Sequence, residues 1–156
     1  MATLDNLIIR RGELKDAVTL ASYNLQMAME TEDKRLDPYV VSAGVRAALL
    51  DADKGIYFVA DLNGRVIGQL MITREWSDWR NGDMWWIQSV YVHADFRKQG
   101  VFRELFEYAE SEARKAEAVA IRLYVEKDNA HAQATYGSLG LETSHYLVME
   151  KSLPRE

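Results

Sequence analysis

The stretch VHADFRKQGVFREL, Val92 to Leu105, decides how the rest of the chain is read. It leaves an apolar run, MWWIQSVYV (84–92), passes through a short turn carrying Arg97, Lys98 and Gly100, and enters a helical pattern in which Arg103 adds a third cation. A helix N-terminus offers unpaired N–H groups and about half a positive charge, so it is an anion site, and glycine lets a phosphate approach the backbone. Residue types narrow the choice of anion. A P-loop needs Gly-Lys-Ser/Thr, which is absent, and a dinucleotide fold needs Gly-x-Gly-x-x-Gly early in a parallel sheet, whereas Gly100 stands alone behind apolar strands. What remains is a diphosphate held by successive N–H groups.

Outward from that stretch, LIIRR (7–11) reads as a first strand, and residues 15–29 as a helix with Val18, Leu20, Ala21, Leu25 and Ala28 on its apolar side. A second helix is predicted near 40–50. IYFVADL (56–62) and RVIGQLMIT (65–73) flank Asn63-Gly64, and MWWIQSVYV is reached through Asn81-Gly82. Asn-Gly tolerates the positive φ angles of type I′ turns, so these three strands should form an antiparallel meander. A helix follows over 101–116, with Val101, Leu105, Phe106, Ala109 and Ala113 on one side, and then a strand, VAIRLYV (119–125). Strand, helix and strand in that order ask for a right-handed crossover and a parallel pair. A last helix, 129–139, closes at Gly140, and HYLVMEKSL (145–153) is expected as a final strand. The fold class is therefore α/β, with a mixed, mainly antiparallel central sheet flanked by helices, in a single domain over 1–156.

The 156-residue chain carries a net charge of -5 and no cysteine. The charge argues against a polyanion partner such as nucleic acid and makes the cluster at 97–103 a local feature suited to a small anion. Lack of cysteine excludes disulfides, thiolate metal sites and a thiol-borne acyl intermediate. His93, His131 and His145 lack ligand spacing, so no metal is expected. No basic segment followed by an apolar one opens the sequence and no long apolar run occurs, which predicts a soluble cytoplasmic protein without membrane contact.

Two segments in order resemble the GNAT N-acetyltransferase superfamily. The first is Val92 to Phe102, read against Arg/Gln-x-x-Gly-x-Gly/Ala after a strand ending near Val-x-Pro; Ala94 stands for the proline and Phe102 for the small third residue. The second is YVEKDNAHAQATYGSLGL (124–141), with Asn129 opening a helix and Tyr136 seven residues on, on the same face. The resemblance covers nearly the whole chain. It implies acetyl-CoA as acyl donor: the amides of Arg97, Lys98, Gln99, Gly100, Val101 and Phe102 on the pyrophosphate, Val90, Tyr91 and Val92 along the pantetheine arm, Asn129 and Tyr136 on the cofactor, and Tyr136 near the sulfur as general acid. Asn129 also suits an N-cap, and Tyr136 a core position.

The acceptor side is expected around REWSDWRNGDMWW and METEDKRLD, where Glu30, Glu32, Glu75 and Asp78 lie among Trp76, Trp79, Trp85 and Trp86. Acid beside aromatic surface suits an ammonium ligand, the preferred reading; exposed tryptophans in charged hairpin loops could also serve a homodimer interface. Glu75 and Glu32, with Glu30, are the candidate general bases. Gln88 breaks an apolar strand and, if buried, needs partners. The expected activity is acetyl transfer to a primary amine of a small molecule by direct attack in a ternary complex; a protein or peptide N-acetyltransferase and a non-catalytic acyl-CoA-binding module are the alternatives.

Overall fold

The computed structural model describes residues 4–155, in a first compact unit that ends at Tyr124 and a second that begins at Val125. In the first unit β1 (Leu7–Arg11), β2 (Ile56–Leu62), β3 (Arg65–Ser77), β4 (Gly82–Val92) and β5 (Ala120–Leu123) form one sheet in that spatial order. The first four strands are antiparallel, and β5 lies parallel to β4 as the crossover rule requires. The connection between them is α3 (Val101–Lys115), while α1 (Ala17–Glu32) and α2 (Pro38–Leu50) precede β2.

Strand alternation assigns each face. On β3, Gly68, Leu70 and Ile72 face α3, and a Cβ built at Gly68 would stand 3.0 Å from Val101. Gly68 thus allows the first turn of α3 to lie directly on the sheet, which fixes where its N-terminus projects. Val101, Leu105, Phe106, Ala109 and Ala113 are all buried, as their helical spacing predicts. The opposite face carries α1 and α2 over a core that includes Leu20, Tyr23, Val45, Tyr57 and Tyr91. Burial pushes the phenols of Tyr23, Tyr57 and Tyr91 up, and for Tyr91 the neighbouring Glu30 adds to the rise.

Several expectations need correction. Residues Leu14–Asp16 form a separate 3-10 turn before α1, because Arg10 donates to both Asp16 carboxylate oxygens, at 2.8 and 3.0 Å, and the Glu13 N–H donates to the same carboxylate. Val18 is 84% exposed; it points off the apolar stripe, where Tyr23 takes an inward position instead. Asn63 and Gly64 both have positive φ, 52° and 89°, in a two-residue turn. At the next hairpin the strands run on to Ser77 and Gly82, so Asp78–Asn81 form the loop and only Asn81 (φ 48°) is left-handed. Longer pairing of β3 with β4 has moved the turn.

In the second unit, α4 (Ala130–Ser138) is capped by Asn129, whose side chain accepts from the Ala132 N–H at 3.0 Å, and Gly140 follows at φ 94°. HYLVMEKSL forms no strand: Tyr146, Leu147, Val148 and Met149 are all exposed. An apolar run becomes a strand only against a neighbouring edge, and sequence carries no record of whether one is offered.

Candidate active site

The turn after β4 has the geometry its composition suggests. Lys98 (φ 63°) and Gly100 (φ 83°) are both left-handed, and Gly100 opens α3 with no side-chain cap. The leading N–H groups of α3 are therefore not taken by a capping side chain, and successive amides in such a turn form a concave anion nest. Val101 is buried, Gly100 and Gln99 are partly exposed, and Lys98 is exposed. The Gln99 amide donates to Asp95 O at 3.2 Å, which fixes the turn from behind. Phe102 is half-buried, and its ring lies 6.2 Å from that of Phe106 along α3.

Arg97 is placed differently from a phosphate clamp. Its guanidinium donates to Val92 O at 2.9 Å and to the Glu30 carboxylate at 3.0 Å, and it lies 5.3 Å from the Tyr91 ring centroid. It ties the turn to the end of α1, so its part in an anion site falls to its backbone. The same contact occupies Glu30.

Beside the turn, β4 is interrupted. Ser89 and Val90 stand opposite the single residue Leu70, and Ser89 is left-handed at φ 53°. This is a β-bulge, a device that re-aims backbone groups. Pairing with β5 stops at Ile87 and Leu123, so the outer edge of β4 beyond Ile87 is not used by β5. The His93 N–H donates inward to Ile67 O at 2.8 Å; by alternation the Val92 N–H turns to that outer edge.

Beneath the bulge lies a polar network that sequence reasoning missed. Gln69, with 0% exposure, donates to Asn24 Oδ1 at 2.8 Å and to Ser89 O at 3.0 Å. Asn24 donates in turn to the Tyr57 hydroxyl at 3.1 Å. Gln69 Oε1 has no partner among the described residues, an arrangement that costs about 1–3 kcal/mol and calls for a reason. The signal was available, since Gln69 breaks an apolar strand just as Gln88 does. Gln88 itself donates to Thr73 Oγ1 on the adjoining strand.

The predicted acceptor cluster separates. Trp85 is buried, whereas its neighbour Trp86 faces the α1 side, and Trp76 and Trp79 are exposed at the hairpin, Trp79 at 92%. Among the described residues, the hydrogen bond from this cluster to a carboxylate is that of Trp86, whose indole N–H donates to Glu75 at 2.9 Å. Arg122 lies 4.0 Å from Glu75 and 5.8 Å from the Trp86 centroid, and Tyr124 stacks on Trp86 at 4.6 Å. Glu32 is exposed at the end of α1, and Asp78 is exposed in the hairpin loop. A separate cavity of about 500 Å³ is lined by residues that include Arg10, Lys15 and Arg65, and Arg10 there pairs with Asp16 and Asp61.

In the second unit Tyr136 is partly buried, and burial pushes its phenol up, which keeps it protonated at neutral pH. Among the described residues no three His, Asp or Glu side chains gather to hold a metal, and no helix is long and apolar enough to cross a membrane.

Comparison with known proteins places this architecture in a class. A possible acetyltransferase from Clostridium difficile 630 superposes with a TM-score of 0.91 at 44% identity, covering 97% of this chain and 100% of that one. An aminoglycoside acetyltransferase from an uncultured soil metagenomic sample, in complex with sisomicin, gives 0.78 at 14% identity over 97% and 98% of the two chains. Ribosomal-protein-alanine N-acetyltransferase from Brucella melitensis biovar Abortus 2308 gives 0.71 at 16% identity over 92% and 99%. The last two establish likeness of fold alone, and no curated protein matches. The model of the acetyltransferase (GNAT) family matches residues 21–141, and the chain belongs to that family.

Proposed function

We propose that the protein transfers an acetyl group from acetyl-CoA to a primary amine of a small molecule, by direct attack in a ternary complex. The observation that carries this reading is the turn Arg97–Phe102: two left-handed residues and an uncapped α3 start, set at the end of a strand whose outer edge β5 has left. A pyrophosphate fits the amides of that turn, and an extended pantetheine amide arm fits the outward-facing C=O of Val90 and N–H of Val92. Phe102 does not oppose this, because its N–H is retained and its ring lies along α3 toward Phe106. The family resemblance assigns Asn129 and Tyr136 to the cofactor as well.

The amine attacks the thioester itself, in keeping with a chain that has no cysteine to carry an acyl group. An amine of lysine-like pKa, about 10.4, needs roughly 4–5 kcal/mol to reach its neutral form at pH 7. Glu75 takes that proton through water. Three strand residues, about 10 Å, separate its partner Trp86 from Ser89, too far for direct transfer. The Glu75 carboxylate and the Trp86–Tyr124 surface also attract an ammonium. Tyr136, protonated, is matched to the thiolate that departs. Calorimetric titration with acetyl-CoA, paired with a thiol-release assay over polyamines, amino acids, aminoglycosides and peptides, tests the reading. Binding together with turnover of a small amine is expected; tight binding with no turnover on any acceptor would leave a cofactor-binding module.

A further inference from the structure

We infer that Gln69 is a positioning residue for acetyl transfer: by holding the Ser89 carbonyl, it aims the Val90 N–H at the thioester oxygen. The inference rests on the acetyl-transfer reading above. No peptide bond among the described residues is cis, so the Ser89 C=O and the Val90 N–H, which share one planar unit, point in opposite directions. Gln69 receives that C=O on the α1 side of the sheet, through a hydrogen bond of 3.0 Å. The N–H is thereby sent the other way, off the α1 face, beyond the point where β5 pairing ends.

The network fixes the direction of each link. Asn24 donates to Tyr57, so its oxygen faces Gln69; Gln69 must then present its nitrogen, and that nitrogen reaches both Asn24 and Ser89. The amide uses its donors in this way while its own oxygen, fully buried, has no partner among the described residues. An aliphatic side chain at this position would leave the Ser89 carbonyl without this donor and free to turn. Ser89, a non-glycine residue in left-handed backbone, adds a conformation that must be held in place. An N–H fixed before reaction stabilises the charge that develops on a thioester oxygen as the amine attacks.

The test compares the parent with Gln69→Met, which keeps the length and removes both donors. ¹⁵N-valine spectra, with Val90 assigned through Val90→Ile, are recorded with acetyl-CoA and with CoA. In the parent the Val90 amide should move downfield with acetyl-CoA and not with CoA. In Gln69→Met that displacement should vanish, single-turnover transfer should fall by about 10- to 100-fold, and the KM for acetyl-CoA should stay within about twofold of the parent. Asn24→Ala, which removes the support behind Gln69 on a helix that tolerates alanine, should give a smaller loss in the same sense and decides the matter if Gln69→Met does not fold. An unchanged Val90 displacement and rate in the folded variants overturn the role of Gln69 while acetyl transfer stands. Failure of the parent to bind acetyl-CoA overturns both.

Discussion

Gly100 opens α3 at φ 83°, in a region where a side chain costs roughly 1–2 kcal/mol and where the pyrophosphate is proposed to lie. Gly100→Glu adds that strain, a bulky group and a negative charge at once. We predict a folded variant, slightly less stable, whose titration with acetyl-CoA shows no binding; retained affinity would remove the anion assignment. Tyr136→Phe isolates a single hydroxyl. Because burial holds this phenol protonated, its loss should cost about 10²- to 10⁴-fold in single-turnover rate, in kcat more than in KM, with cofactor affinity and melting temperature close to the parent. A variant matching the parent across the pH range would return Tyr136 to a packing role. These candidates could be named from the sequence for a physical reason: a lone glycine between strand and basic helix, and an asparagine seven residues before a tyrosine, are local patterns. Gln69 acts through partners on α1, β2 and β4, and no local pattern records such a meeting.

Among the elements, α3 was read almost whole, since its five inward residues follow helical spacing and every one is buried. Its seat on the sheet was less legible, because the close approach at Gly68 depends on a strand far back in the chain. The half-buried Phe102 belongs to this packing. Phe102→Ala should lower stability by roughly 1–2 kcal/mol, less than the 3–5 of a fully buried ring, and leave acetyl-CoA affinity nearly unchanged. Chemical denaturation and titration of the same preparation check both; much tighter cofactor binding would mean that the ring obstructs the turn. The final strand shows the converse limit. HYLVMEKSL has strand-like residues, yet pairing depends on an available edge, and these side chains stand in solvent. The tryptophan cluster failed for a simpler reason, since Trp85 and Trp86 are consecutive on β4 and take opposite faces.

For the molecule as a whole, the start of α1, β1 and the β2–β3 turn are joined through Arg10, which pairs with Asp16 and Asp61. Burial alone would push the Asp16 carboxyl up, but hydrogen bonds from Arg10 and the Glu13 N–H outweigh it and hold the group below its ordinary range. A depressed folded value means that its contribution is fully present above the unfolded value of about 3.9 and is lost as pH falls through the folded one. Thermal melts from pH 7 to pH 2 should therefore show a loss of stability beginning near pH 4. Asp16→Asn should be less stable at pH 7 and show a shallower fall; an equally steep acid limb would assign it to other carboxylates.

The contact between Arg97 and Glu30 reaches from the turn proposed to hold the cofactor to the last turn of α1, which carries the acceptor-side candidates Glu30 and Glu32. Thermodynamic linkage makes such a connection symmetrical: whatever factor acetyl-CoA applies to acceptor affinity, the acceptor applies to acetyl-CoA. Substrate binding is thus expected to be cooperative rather than independent. Glu30→Gln should bring the two cofactor dissociation constants, measured with and without an unreactive acceptor analogue, together while leaving each ligand able to bind alone. Should the parent already show equal constants, the bridge is a surface ion pair and transmits nothing.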